Sequence, residues 1–180
     1  MDLKNAVGIV TGSSSGVGAA TARLLASKGC NVVVNYSRSA DAAQKVASEC
    51  EAMGVEVLCC QANVAEDEDC RRMVDAAMDK WGKINALINN AGTTTFVPHE
   101  NLYGLSKQDF FDIYGVNVVG PYQMTRAAEA GMRKSGNAAI VNVDSVAGIF
   151  GIGSSIAYAA SKGALLTMTK SLARVLGPEI

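Results

Sequence analysis

The stretch TGSSSGVG at residues 11–18 decides the fold of this 180-residue chain. It joins the apolar run Ala6–Val10 to the helical pattern of Val17–Lys28, so we interpret it as a strand-to-helix turn. N–H groups at a helix N-terminus lack partners and suit a pyrophosphate, while glycines allow close approach of the backbone. The spacing departs from G-x-G-x-x-G, and ordinary turn chemistry is the alternative. Its position predicts a dinucleotide-binding turn made by Gly12, Ser14, Ser15, Gly16, Val17 and Gly18.

Strand and helix patterns alternate along the rest of the chain. Runs of apolar residues predict five strands at Ala6–Val10, Asn31–Asn35, Val55–Cys60, Ile84–Ile88 and Ala138–Val143. Helical spacing covers Val17–Lys28, Ala40–Met53, Glu66–Trp81, Ser106–Arg133 and Ser155–Leu176, and a glycine that suits a left-handed C-cap closes each of the first three. The sequence therefore predicts an α/β fold: one Rossmann-type domain over residues 1–180, with a doubly wound parallel sheet in three αβα layers.

Composition excludes several classes of protein. Hydrophobic residues make up 49% of the chain and charged residues 18%, so a core is available and a disordered segment is excluded. The net charge of -1 offers no basic field for nucleic acid or anionic membrane. The five cysteines form no C-x-x-C pair, so neither a disulfide framework nor a metal site is expected. With no apolar run near 20 residues, we expect a cytoplasmic protein that does not enter membranes.

The end of the second predicted strand indicates which dinucleotide is bound. Many dinucleotide-binding folds place an acid there to hold the ribose 2′-hydroxyl, but no Asp or Glu occurs from Leu24 to Ala40. Arg38 could instead bind a 2′-phosphate with two hydrogen bonds, and Ser37 could add a hydroxyl. An arginine that is merely exposed in a loop is the alternative. The sequence favours NADP(H) over NAD(H).

A tyrosine and a lysine four residues apart indicate proton-transfer chemistry. Tyr158 and Lys162 lie on one face of a predicted helix, and a nearby ammonium group stabilises a phenolate. Such a tyrosine can exchange a proton with a carbonyl or alcohol oxygen. Tyr103 and Lys107 repeat the spacing but begin in an irregular stretch, whereas Tyr158 follows the strand that presents Ser145 at its carboxyl edge.

The two long predicted helices, Ser106–Arg133 and Ser155–Leu176, are apolar or small on most faces. A helix of this kind is buried on more than one side. A subunit interface is our interpretation, with a homodimer or homotetramer as the assembly, and a thick core within one chain is the alternative.

Taken in order, these motifs resemble the short-chain dehydrogenase/reductase family over nearly the whole chain. The resemblance includes Thr11-Gly12-x-x-x-Gly16-x-Gly18, Asn89-Asn90-Ala91-Gly92, Asn117, Ser145 and Tyr158-x-x-x-Lys162. The segment Ser145–Lys162 is most similar to the branch of 3-oxoacyl-(acyl-carrier-protein) reductases and related carbonyl reductases. This implies an enzyme that transfers a hydride between NADP(H) and a small carbonyl or secondary alcohol substrate.

The resemblance also implies roles for individual residues. Tyr158 would be the acid/base, Lys162 would tune it and bind the nicotinamide ribose, and Ser145 would bind the substrate oxygen. Asn117 would hold a water of the proton path. The cofactor would be lined by Asn90, Ala91 and Gly92, and the adenine flanked by Asn63 and Val64. A nucleotide-sensing protein without turnover is the alternative, although it would not need the four residues Asn117, Ser145, Tyr158 and Lys162.

Pro121 bears on the role of Asn117 independently of the resemblance. Pro121 has no N–H, so it cannot donate to the Asn117 carbonyl four residues earlier, which leaves that carbonyl free to bind a water at a helix kink. A bend that serves packing alone is the alternative.

Three features depart from the family pattern. Asn63 stands where the family usually has aspartate, and Asp144 stands before Ser145 where a small hydroxyl residue is common. The family also continues beyond the point that corresponds to Ile180, so the resemblance implies that the C-terminal part is missing. A fragment inactive through truncation is therefore a further alternative.

Overall fold

The computed structural model describes residues 2–180, so residue 1 of the predicted domain lies outside the described range. The strands are β1 (Val7–Val10), β2 (Asn31–Tyr36), β3 (Val57–Gln61), β4 (Ala86–Asn89) and β5 (Ala139–Asn142). The helices are α1 (Gly16–Ser27), α2 (Ala40–Glu51), α3 (Asp67–Trp81), α4 (Lys107–Tyr114), α5 (Gly120–Ser135), α6 (Ala147–Phe150) and α7 (Ile156–Leu176). A π-helical turn, Gly115–Val119, connects α4 to α5.

The five strands form one parallel sheet in the order β3-β2-β1-β4-β5, which confirms the predicted α/β fold. Val10 on β1 lies in register between Val34 on β2 and Ile88 on β4. The chain moves outward from β1 in one direction to β3 and then in the other direction to β5. Where the order reverses, between β1 and β4, the loops at the carboxyl ends diverge and open a crevice.

Both faces of the sheet are covered, so the structure has three layers. On one face, Val32 and Val34 pack with the alanine-rich side of α1 and with α2. On the other face, Ile9, Val33 and Leu87 pack with Met73 of α3 and with α5. Because successive strand residues enter opposite layers and both layers are apolar, the strands are continuous apolar runs.

The predicted helix Ser106–Arg133 is interrupted, and a four-residue helix, α6, was not predicted. At the interruption the Gly120 N–H donates to the carbonyl of Gly115, which is five residues earlier. In a regular α-helix the acceptor would be the carbonyl four residues earlier. Pro121 follows directly and has no N–H, so the regular pattern cannot continue through it. The helix kink predicted at Pro121 is therefore a π turn.

The predicted C-cap glycines have left-handed backbones, with φ of 81° at Gly29, 85° at Gly54 and 71° at Gly82. All five cysteines are free, and burial raises the pKa of Cys30 to about 11 and of Cys70 to about 12. Within residues 2–180, every helix is too short or too polar to cross a membrane.

Two glycines in the turn after β1 allow a test of how tightly that turn packs. Gly12 and Gly16 both have positive φ, 63° and 54°. A Cβ at Gly12 would lie 2.8 Å from the Cα of Ala91, whereas one at Gly16 would meet no heavy atom of residues 2–180 within 4 Å. Both alanine variants carry backbone strain of about 1–2 kcal/mol. We expect Gly12→Ala to reduce the free energy of unfolding by about 1–3 kcal/mol more than Gly16→Ala, measured by urea denaturation. Equal losses would contradict the close packing.

Candidate active site

The turn after β1 is bound to the loop after β4 by the side chains of Thr11 and Asn90. The Thr11 hydroxyl oxygen accepts from the backbone N–H groups of Asn90 and Ala91, both at 3.0 Å. The Asn90 amide donates to the carbonyls of Thr11 and Gly12 at 2.9 and 3.1 Å. The two loops therefore form one rigid edge at the point where the strand order reverses.

Asn35, at the end of β2, fixes the other side of the same turn. Its Oδ1 accepts from the Gly12 N–H at 2.9 Å, and its Nδ2 donates to the carbonyls of Cys60 and Ala62 at 3.3 and 3.1 Å. Asn35 is 2% exposed, and its bond to the Ala62 carbonyl is fully buried. Sequence reasoning treated Asn35 only as a strand residue; a buried polar residue at the carboxyl end of a strand was the available signal.

A cleft of about 1000 Å³ lies along this edge. It is lined by most of the predicted cofactor residues: Gly12, Ser14, Ser15, Ser37, Arg38, Asn63, Val64, Asn90, Ala91 and Gly92. Gly16 and Val17 are exposed at the start of α1, outside this lining set. Gly18 is buried, and a Cβ there would lie 2.4 Å from the Asn90 amide nitrogen, so Gly18 allows α1 to approach the loop after β4.

The chemistry of the cleft fits a dinucleotide phosphate. Ser15, the N-cap of α1, makes no side-chain cap within the described residues, and the first turn of the helix has no acid. The N–H groups there remain available to an anion. Arg38 is exposed and has no carboxylate partner among residues 2–180. The lining also contains two acids that sequence reasoning did not consider, Glu66 and Asp112.

A second cavity, of about 640 Å³, contains Tyr158 and Lys162. We call it the carbonyl cavity. Its other lining residues include Asn90, Gly92 and Thr93, which line the larger cleft as well. The two spaces therefore meet along the loop after β4.

Lys162 lines the carbonyl cavity, and its side chain is fixed by burial and by one hydrogen bond. The residue is 5% exposed, and its Nζ donates to the carbonyl of Val143 at 2.7 Å. Nζ also lies 5.9 Å from the centre of the Tyr158 ring, so the charge faces the ring as the four-residue spacing predicted. Burial lowers the pKa of Lys162, and the negative charge of Asp144 opposes that effect.

Asn117 lies in the π turn and is fully buried. Its Oδ1 accepts from the Thr93 N–H at 2.8 Å, and its Nδ2 donates to the Thr93 carbonyl and to the Ser161 hydroxyl, both at 3.0 Å. The Ser161 hydroxyl in turn donates to the Tyr158 carbonyl at 2.7 Å. Because the Asn117 side chain is fully used, only its main-chain carbonyl is left to hold a water. Ser161 was missed because serine next to a lysine carries no distinctive pattern.

Ser145 follows the end of β5 and begins the turn into α6. Its hydroxyl accepts from the Ala147 N–H at 3.2 Å, and its own N–H donates to Oδ1 of Asp144 at 2.8 Å. The structure thus brings Asp144, Tyr158 and Lys162 to the lining of one cavity. Ser145 adjoins that lining, and Asn117 is buried behind it.

Residues 6–180 match the family model described as short chain dehydrogenase. A Streptomyces violaceoruber protein assigned as ketoacyl reductase 2 of the granaticin polyketide synthase is 41% identical over 174 residues, covering 97% of this chain and 68% of the relative. A 3-oxoacyl-(acyl-carrier-protein) reductase from Synechocystis is 36% identical over 170 residues, covering 94% of this chain and 68% of that protein.

Solved structures share the fold over nearly all of the chain. A Burkholderia xenovorans protein assigned as a short-chain dehydrogenase/reductase superposes with a TM-score of 0.95 at 46% identity, covering 98% of this chain and 74% of that chain. Xylitol dehydrogenase with NAD+ bound has a TM-score of 0.91 at 30% identity, covering 99% of this chain and 68% of the other.

Proposed function

This chain belongs to the short chain dehydrogenase family, and we propose that it transfers a hydride between NADP(H) and a carbonyl or secondary alcohol substrate. The observation that carries the proposal is that the carbonyl cavity, lined by Tyr158 and Lys162, shares the lining residues Asn90 and Gly92 with the cofactor cleft. Two relatives named as ketoacyl and 3-oxoacyl reductases support the direction of reduction.

The chain's own residues would hold the cofactor along the cleft. The N–H groups at the start of α1 would bind the pyrophosphate, and Asn63 and Val64, which line the cleft, would flank the adenine. Asn90 and Gly92, which line both the cleft and the carbonyl cavity, would position the nicotinamide end where the two adjoin. The cofactor, when bound, supplies the hydride.

Tyr158 would supply the proton that balances the hydride. As the carbonyl carbon is reduced, the tyrosine hydroxyl donates its proton to the carbonyl oxygen, and the Ser145 hydroxyl donates a hydrogen bond to that oxygen. The Lys162 ammonium, 5.9 Å from the Tyr158 ring centre, balances the negative charge left on the tyrosine. A water on the Asn117 main-chain carbonyl, which has no donor from Pro121, would return the proton from solvent.

The proposed role of Tyr158 as proton donor can be tested by substitution, with Tyr103 of the same chain as a matched control. Tyr158→Phe removes the proton donor, so we expect loss of NADPH-dependent carbonyl reduction by about 100-fold or more, measured as loss of NADPH absorbance. Tyr103→Phe alters the exposed tyrosine of the other four-residue Tyr–Lys pair and should retain full activity. Undiminished turnover by Tyr158→Phe would reject the mechanism, and NADPH binding without any turnover by the unmodified protein would favour nucleotide sensing instead.

We propose NADP(H) as the cofactor because the end of β2 carries Ser37 and Arg38 in the cleft lining and no acid. A carboxylate there would repel a 2′-phosphate, whereas a guanidinium group attracts it. A solved structure of the same fold, xylitol dehydrogenase, holds NAD+, so the fold alone does not select NADP(H) and the proposal rests on these residues.

Removing the guanidinium should change the cofactor preference. We expect Arg38→Ala to weaken NADP(H) binding by about 1–3 kcal/mol, roughly 5- to 150-fold, and to leave NAD(H) binding nearly unchanged, measured by calorimetry. Lys45→Ala, which removes an exposed charge on α2, controls for general electrostatic attraction. Equal weakening of both dinucleotides by Arg38→Ala would show that Arg38 does not contact the 2′-phosphate.

The surroundings of the carbonyl cavity favour an uncharged ketone or a 3-oxoacyl compound. Phe96 lines the cavity and is 83% exposed. Ile149, Phe150 and Ile152, on and just after α6, are also largely exposed. Of these side chains, Phe96 lines the cavity and offers an apolar surface to the part of a substrate that lies beyond its carbonyl group.

We propose a cytoplasmic location and a homodimer or homotetramer. The free cysteines suit a reducing compartment. The long helices are partly covered within the chain, since α4 and α7 contact each other and bury Ile113 and Leu165. Val119 and Tyr122 nevertheless remain 44% and 47% exposed.

The outer faces of these helices can be tested by light scattering. We expect a dimer or tetramer at micromolar concentration, and a smaller species for Val119→Asp combined with Tyr122→Asp, because charges in an apolar interface are costly. Leu24→Asp, at an exposed apolar residue of α1, should leave the assembly unchanged. A soluble monomer of the unmodified chain would reject the interface.

A further inference from the structure

The carbonyl cavity contains a carboxylate that the proposed mechanism does not use. Asp144 lies between the end of β5 and Ser145 and lines the cavity together with Tyr158 and Lys162. Among the described lining residues it is the only acid. Its side chain is anchored, since Oδ1 accepts from the Ser145 N–H at 2.8 Å. The carboxylate is thus fixed next to the residue proposed to bind the substrate oxygen.

The two charges of the cavity differ in how accessible they are. Lys162 is 5% exposed, and its Nζ is engaged with the Val143 carbonyl at 2.7 Å. Asp144 is half-buried, and among residues 2–180 no donor other than the Ser145 N–H reaches its carboxylate. Asp144 also acts on Lys162, whose pKa it raises against the effect of burial. An entering molecule therefore meets a buried ammonium group that is already bonded to the Val143 carbonyl, and a half-buried carboxylate that still has acceptor positions free within the described residues.

We propose that Asp144 is a specificity-determining residue that excludes substrates with a free carboxylate one carbon away from the reacting carbonyl and admits their uncharged analogues. This inference rests on the proposed carbonyl reductase function and names the substrate class of the same site. A free 3-oxo acid would bring a second negative charge into a cavity that already holds one. An ester of the same acid would not, and its alkyl group could lie against Phe96.

Coulomb repulsion sets the size of the effect. Two like charges a few ångströms apart at a partly solvated site repel each other enough to change binding by about tenfold. Added salt screens the interaction, because the Debye length shortens from about 30 Å at 0.01 M to about 3 Å at 1 M. The selectivity should therefore depend both on Asp144 and on ionic strength.

The test compares kcat/KM for ethyl 3-oxobutanoate with kcat/KM for 3-oxobutanoate, both with NADPH. We expect the ester-to-acid ratio to fall about tenfold in Asp144→Asn, mainly through a lower KM for the acid, and to be restored in Asp144→Glu. Asp79→Asn, an exposed acid on α3, is the matched control and should retain the ratio of the unmodified protein.

Salt dependence of the unmodified protein gives a readout that needs no variant. The ester-to-acid ratio should fall several-fold between about 0.01 M and 0.5 M salt. A ratio that is unchanged within twofold, both in Asp144→Asn and at high salt, would overturn the role of Asp144. If Asp144→Asn fails to fold, the salt series alone decides. Failure of the unmodified protein to reduce either compound would reject the proposed function itself.

Discussion

The site depends on the hydrogen bonds between Thr11 and Asn90 at the reversal of strand order. Thr11 is 1% exposed, so the partners it supplies to the loop after β4 are shielded from water. Breaking such a buried set leaves unsatisfied polar groups, each costing about 1–3 kcal/mol. These bonds join the glycine turn, which faces the cofactor cleft, to the loop whose residues also line the carbonyl cavity. The hydrogen bonds between Thr11 and Asn90 therefore fix the position of the cofactor cleft relative to the carbonyl cavity.

A second network, farther along the chain, holds the proposed proton donor. Asn117 connects the backbone of Thr93 to Ser161, and Ser161 connects to the carbonyl of Tyr158. The position of α7 is thus tied to the loop after β4, which also holds the glycine turn. Burying Lys162 opposes its charged state, so the fold bears an electrostatic cost where the proposed chemistry needs a cation. Such a cost is typical of a functional residue, since structural positions rarely bury a lysine.

The sequence predicted the features that arise from local patterns. Apolar runs predicted the strands, and the glycines after α1, α2 and α3 predicted left-handed caps. Both features depend only on residues that are close together in the sequence. The partners of Asn35 and Ser161 could not be predicted, since the bonds of Asn35 to Gly12, Cys60 and Ala62 span 23 to 27 residues and the bond from Asn117 to Ser161 spans 44. Asp144 was recognised as unusual, but its effect required the cavity that it shares with Lys162. Tertiary contacts, which sequence spacing does not encode, account for these differences.

The π turn at Gly115–Val119 also limits which insertions and deletions this segment can tolerate. Each residue of an α-helix advances the chain by about 100° around the axis. The wider turn absorbs an additional residue, so α5 directs Met124, Ala128 and Met132 at the sheet. Deleting one residue from the turn would restore a regular helix and leave those three side chains facing the sheet. It would, however, displace Asn117 from the widened turn that holds its side chain against Thr93 and Ser161. Insertions and deletions should therefore be tolerated far less in these few positions than in the loops on either side of the helix.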